Sequence, residues 1–509
     1  MTNERQTPGR AVTRRFRWIY LAPLLAFVAL LAWAFASPVG AGPDDDYHLV
    51  SIWCANGGSA ECTQGSEANS RVLPGSFPAI ACFAQVESRS AECQYAALND
   101  TTPVELTRGN FAGEYPPVYY ATMRIFAGND IQVSALVMRV VNAALFVGLA
   151  TALAALLPAA RRRTLLWGWL VALVPLGMFL IPSNNPSGWA ITGVGTAFLA
   201  LLGWFETSGR RRWALGALYL VGMVMASGAR GDAAVYAIGA TVTVAILTSA
   251  RTRRWAISMV LPLAGLIVAL LFFVNAGQSG VASSGFTSGG AGAAGPVAGA
   301  GGIEAPLSGF ALAAYNILML PFLWTGVWGS WGLGWLDTQL PAIVPWAATA
   351  AFIAVGFAGV ALLNWRKAIA TSGVLLVLIV LPVYVLTAGG DKVGVSLQPR
   401  YLLPLIVLFA FLLVTEPAAK SLRFTRVQTF VILAALAVAN LVSLQVNIRR
   451  YVTGSAQQGL NLDAGVEWWW PNLPVGPMAV WLIGGLAYAG VLALLWPELR
   501  KRTELGVTA

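Results

Sequence analysis

Apolar runs of about 17 to 25 residues recur from one end of the chain to the other, separated by short polar breaks. Each is long enough to cross a hydrocarbon core of about 30 Å. In lipid every backbone N–H and C=O must be paired within its own segment, so such runs form helices. They fall at residues 18–36, 131–157, 164–182, 187–206, 213–228, 232–250, 255–275, 342–363, 368–388, 400–416, 427–446 and 478–496. The pattern predicts an all-α polytopic membrane protein with about 12 transmembrane helices, within a range of roughly 11–13. One further apolar stretch, 306–330, is read as interfacial or re-entrant rather than spanning. If it crossed, the basic tracts beyond residue 360 would all move to the outer side. Its neighbouring tryptophans Trp324, Trp328, Trp331 and Trp335 suit the headgroup region.

Charge sets the orientation. Only 11% of the 509 residues are charged, against about 25% in soluble domains. The net charge of +10 would suggest nucleic acid if it were spread over a surface. Instead the basic residues form short tracts beside the apolar runs, such as Arg161–Arg163, Arg210–Arg212 and Arg500–Arg502. That is the positive-inside pattern, and membrane lipid is the partner it implies, not nucleic acid. The reading places both termini in the cytoplasm of a bacterial inner membrane. The chain then divides into a cytoplasmic N-terminus (1–17), a first helix (18–36) and a large outer loop (37–130). Helices 2–7 (131–275) follow, then an outer segment (276–341), helices 8–12 (342–496) and a cytoplasmic tail (497–509). The first helix is too long for the usual signal-peptide core of about 7–15 residues, so it is read as retained.

The cytoplasmic loops are too short to hold a domain, so any chemistry belongs outside. The first outer loop contains all four cysteines, Cys54, Cys62, Cys82 and Cys93. An even number in one extracytoplasmic loop implies two disulfides. Three pairings are open, and Cys54–Cys62 with Cys82–Cys93 closes the smallest rings. A zinc site is the rival reading, but the spacings differ from the C-x₂₋₄-C of structural zinc. The segment 276–305 is rich in Gly, Ala and Ser and reads as a flexible outer segment.

The densest polar constellation is Pro43-Asp44-Asp45-Asp46-Tyr47-His48, just beyond the first helix, and His48 is the only histidine. Adjacent carboxylates repel one another unless a cation compensates. They could act as a general base, or Asp44, Asp46 and His48 could hold a divalent cation such as Mg or Mn. The alternative is a solvated acidic turn. Several arginines lie at outer helix ends, against the positive-inside bias: Arg230, Arg400 beside Tyr401, and Arg450. An arginine fork matches a phosphate bidentately, so these are candidate phosphate ligands. Glu114, Tyr115, Tyr119, Asn184, Asn185, Asp337 and Gln398 are candidate substrate contacts on the same side. No Walker A loop, GxSxG or HExxH motif is present, and no span carries the clustered carboxylates of a proton relay.

The order of these motifs resembles the bacterial membrane proteins of domain-of-unknown-function family 2142, which look like GT-C glycosyltransferases. The family pattern P-D-E-x-x-H is similar to Pro43–His48, with Asp45 where Glu is usual. P-P-x-Y-Y matches Pro116-Pro117-Val118-Tyr119-Tyr120. F-G-W-L-D-x-x-L-P is similar to Leu333–Pro341, with Leu333 replacing Phe, and G-R-Y-L-L-P to Pro399–Pro404, with Pro399 replacing Gly. The matches span roughly residues 20 to 450. The resemblance implies a GT-C-like fold and the transfer of a sugar from a polyprenyl-phosphate donor to an outer cell-envelope glycan or lipid acceptor. It also implies a first-loop carboxylate as base: Asp44, supported by Asp45 or Asp46, with His48 orienting the acceptor or a metal. Arg400, with Arg230 or Arg450, would hold the donor phosphate. A flippase for lipid-linked glycans and a non-catalytic envelope-assembly protein are the competing expectations. Nothing in the sequence specifies an oligomeric state.

Overall fold

A computed structural model describes residues 18–58, 60–280, 307–417, 420–464, 467–470 and 473–500. The elements that position the site are, in chain order, α1 (Ala22–Phe35), α2 (Asp45–Trp53), β1 (Thr63–Gln64), β2 (Arg71–Pro74), β3 (Pro103–Leu106) and α3 (Val118–Met123). There follow α4 (Ile131–Leu156), α5 (Ala159–Leu173), α6 (Leu176–Leu180), α7 (Ser187–Glu206), α8 (Gly209–Ala229), α9 (Gly231–Thr248) and α10 (Val260–Asn275). The remainder are α11 (Gly309–Thr325), α12 (Ile343–Val360), α13 (Trp365–Gly389), α14 (Pro399–Val414), α15 (Arg426–Val452) and α16 (Pro477–Arg500).

Among the described residues, ten helices are long and apolar enough to cross a membrane, and Ile19–Phe35 and Pro399–Val414 are shorter apolar helices. The expected run 164–182 is not one helix. It breaks at Val174-Pro175 into α5 and α6, because Pro175 has no N–H to continue the ladder and forces Val174 out of the helical region. The helix of 306–330 is among the ten by composition, as Gly309–Trp328. Three of its hydrogen bonds fall along the second half of α13 and just beyond it. Asn316 bonds Asp391 and Val393 beyond the end of α13, while Trp324 bonds the Leu378 carbonyl halfway along it. The chain then returns to the starting end, where Trp335 bonds Gly40 O and Asp337 meets Gln85 and Arg450. The flexible-segment reading at 276–305 falls largely outside the described residues.

Local sequence sets the helix ends. Asp130 caps α4 through Val133 N, Asn364 caps α13 through Lys367 N, and Thr425 with Gln428 forms a capping box on α15. The centre of the bundle is α7, which is almost wholly buried. It crosses α8 closely because Gly193 faces Gly222. A Cβ at Gly193 would lie 2.5 Å from Ala226 N, the small-residue contact expected where apolar helices meet in lipid.

The first loop folds as a small stapled unit. β1, β2 and β3 form an antiparallel sheet in that order. Cys54 pairs with Cys62 and Cys82 with Cys93, the small-ring arrangement, and no cysteine is free. Zinc is thereby ruled out as the role of these four side chains.

Candidate active site

The acidic motif is held by helices distant in sequence. Past the end of α1, Arg139 on α4 donates to the carbonyls of Ala34, Ser37 and Pro38. Asn447 on α15 donates to Ala36 O and Ser37 Oγ. These groups satisfy the orphan carbonyls of a buried helix end. Asn185 then fixes Pro43 O at 2.7 Å, and Gly42 N donates to Asp45 Oδ2 at 2.9 Å. The chain turns into α2 through Asp44, whose backbone is left-handed (φ 55°, ψ 28°). This conformation is uncommon outside glycine and is tolerated best by Asn and Asp. The turn sends the three carboxylates to different partners.

Asp44 accepts from Arg400 Nη2 at 2.5 Å and Arg108 Nη2 at 3.2 Å. Burial raises its carboxyl, but the Arg400 and Arg108 guanidiniums more than offset this and hold it below the ordinary range. Asp45 is fully buried, 4.0 Å from Arg139. Burial dominates there and pushes its carboxyl up to about 6, despite the arginine. Asp46 pairs with Arg108 Nε at 2.6 Å. His48 is buried among Tyr47, Tyr115 and Tyr120, with Nδ1 2.9 Å from Tyr120 Oη. Burial pushes its imidazole down to about 3, and nearby Arg400, Arg230 and Arg108 add to the effect. His48 is therefore neutral at physiological pH.

Asp44 opens onto a cavity of about 490 Å³. Part of its lining is ionic and phenolic: Asp44, Arg108, Glu114, Tyr115, Arg230, Asp232, Tyr236 and Tyr401. The rest is largely apolar and built from helices: Val235 of α9, Phe273 of α10, Leu381 and Val385 of α13, and Leu402 of α14. Tyr47 donates to Glu114 at 2.6 Å. Arg230 grips Asp232 bidentately at 2.9 and 2.8 Å and stacks over the rings of Tyr401 and Tyr115. Arg400 lies just behind the wall. It reaches Asp44 and Tyr401 through Nη2, while its buried Nε and Nη1 have no hydrogen-bond partner among the described residues.

The structure thus brings together Asp44, Glu114, Tyr115, Arg230, Arg400 and Tyr401. It does not bring the other candidates to the cavity. Arg450 is spent on Asp337 and the carbonyls of Phe83, Val86 and Arg89, which also accounts for Asp337. Tyr119 packs on Trp189, Asn185 holds the motif's backbone, and Asn184 and Gln398 lie outside the cavity lining. The proposed metal set does not fit. Asp44 and Asp46 are already neutralised by Arg108, a guanidinium would repel an added cation, and His48 Nδ1 is committed to Tyr120. Among the described residues no three His, Cys, Asp or Glu side chains are grouped to hold a metal. The ionic residue missed in the sequence is Arg108, whereas Asp232 pairs with Arg230 as their spacing in the chain allows. Arg108 carries no signal there, being a lone arginine 64 residues from its partner Asp44.

No curated protein matches the chain. The family model for DUF2142, described as a predicted membrane protein, matches residues 27–409. This interval includes the latter part of α1, the whole acidic motif and Arg400, and it covers well over half of the 509 residues. The chain belongs to the DUF2142 family of predicted membrane proteins.

Proposed function

We propose that this protein is a GT-C-type membrane glycosyltransferase. It moves a sugar from a polyprenyl-phosphate donor to a cell-envelope glycan or lipid acceptor on the outer face of the cytoplasmic membrane. The observation that carries the reading is the amphiphilic cavity. A carboxylate held between two arginines stands in its ionic part, and largely apolar helix faces form the rest. A lipid phosphate has this division of character. Its anionic head meets Arg108 and Arg230 and competes with Asp44 for Arg400, while its chain lies against Val235, Phe273, Leu381 and Val385.

The competition gives the base its timing. Asp44 in its resting ion pairs is a weak base, because two guanidiniums stabilise its charge. When the phosphate draws Arg400 away, Asp44 becomes more basic and takes the proton of the acceptor hydroxyl. The hydroxyl oxygen bonds the anomeric carbon, the carbon–oxygen bond to phosphate breaks, and the electron pair leaves with the lipid phosphate. The arginines stabilise the charge that develops there. Asp45 acts through the backbone, fixing the turn that aims Asp44. The metal-free ionic set performs these steps with side chains alone.

The test is transfer from radiolabelled polyprenyl-phosphate sugars by purified protein in nanodiscs, wild type beside Asp44→Asn. The expected result is wild-type turnover and a loss of about 10²–10⁴-fold in the variant, with the fold retained. Equal turnover in both moves the base off Asp44. No turnover, with lipid-linked glycan crossing the bilayer, replaces the transferase with a flippase.

A further inference from the structure

A second cleft, of about 630 Å³, lies on the other side of Tyr115 from the ionic cavity. The two share that residue as a wall. The wall is fixed. Asn110 receives Tyr115 N and donates to Tyr115 O, while Gly113 and Glu114 carbonyls accept from Gly277 and Gln278 N–H. The Cys54–Cys62 disulfide stiffens the opposite side.

The chemistry of this cleft differs from that of its neighbour. Among the described residues no acidic side chain or lysine lines it, and the one cation there, Arg71, lies 5.2 Å over the Phe111 ring. Arg71 Nη1 is tied to Ala68 O and Ser70 O, which fixes the stack. Asn56, Gln64 and Asn275 donate to backbone carbonyls, and their own side-chain oxygens accept no hydrogen bond from a described residue. An aromatic lining of Phe111, Tyr115 and Phe272, with amide acceptors and a guanidinium already stacked on one face of Phe111, suits a neutral polyhydroxyl ring. Its C–H face packs on the aromatic, and its hydroxyls donate to amide oxygens. A phosphate or carboxylate would find a single, already stacked cation.

We infer that this cleft is a carbohydrate site that holds the acceptor's sugar rings, one tyrosine's thickness from the donor cavity. The assignment of the sugar as acceptor rests on the transferase reading; the carbohydrate site itself does not. The experiment is titration of full-length protein in nanodiscs with the neutral oligosaccharides released from the source organism's envelope. Decaprenyl-phosphate binding is followed in parallel. Wild type should bind the oligosaccharides. Phe111→Ala, and Asn275→Trp at an exposed helix end, should weaken that binding about tenfold or more and leave lipid-phosphate binding unchanged. Absence of oligosaccharide binding by wild type, or equal binding by all three proteins, overturns the inference. Oligosaccharide binding that depends on these residues in a protein without transfer activity keeps the site and removes only its role as acceptor.

Discussion

Two arginine–aspartate pairs sit at the same end of the bundle and differ in what they leave over. In Arg450–Asp337, at 2.7 Å, both side chains are sealed. Arg450 Nη1 and Nη2 also hold three carbonyls, and Asp337 receives Gln85 N. In Arg400–Asp44, at 2.5 Å, the arginine is as deeply buried, but only Nη2 is engaged. The aspartate is 23% exposed at the wall of a cavity. A pair that leaves only Arg450 Nε without a partner among the described residues, and does not line that cavity, holds the fold. A pair with donors to spare can accept a new anion and so do chemistry.

That contrast can be broken by exchanging the same substitution between the pairs. Asp44→Asn should abolish transfer at a smaller loss of unfolding temperature than Asp337→Asn, since Asp44 is 23% exposed although its partner Arg400 is buried. Asp337→Asn should do the reverse. It strands the Arg450 charge in a buried site and costs about 3–5 kcal/mol, read as a fall in unfolding temperature in detergent. Identical phenotypes for the two would erase the distinction. A smaller effect should separate the arginines. Arg400→Lys keeps the charge but loses the planar fork, and donor KM should rise about tenfold. Arg450→Lys should lower stability and leave donor KM in place. The smallest effect is that of pH. Asp44 and His48 are both depressed in the folded state. Any inflection in the turnover profile between about pH 5 and 8 should therefore come from Asp45, raised to about 6 by burial, and not from the imidazole. Stability should decline as pH falls below the ordinary imidazole value toward the depressed folded ones, because the unfolded chain binds those protons more readily. An inflection near pH 6.5 that disappears in His48→Gln would contradict the burial argument.

The spans were legible because length and composition settle them: α4, α7 and α13 match their apolar runs to within a few residues. Pro175 shows the limit. A proline inside an apolar run can kink or end a helix, and only the packing around it decides. The acidic motif was visible as a cluster, but the sequence did not show that Asp44, Asp45 and Asp46 part company. That separation comes from one left-handed residue and from Arg139 and Asn185, which arrive from other helices. For the same reason Arg108 and Arg450 could not be sorted. An arginine's role depends on which carbonyls and carboxylates fold against it, and neither local propensity nor the positive-inside rule contains that information.

Asp44 and its mate Arg400 are 356 residues apart. At the usual pace of about 5–20 residues per second, a ribosome needs roughly 20–70 s to travel between them. For most of that interval the nascent motif has Arg108, from its own loop, and Arg139 of α4 to balance its carboxylates. Asn447, which braces the end of α1, emerges later still. Arg108 is thus a chaperone in miniature, and the ionic centre is among the last parts of the protein to come into being.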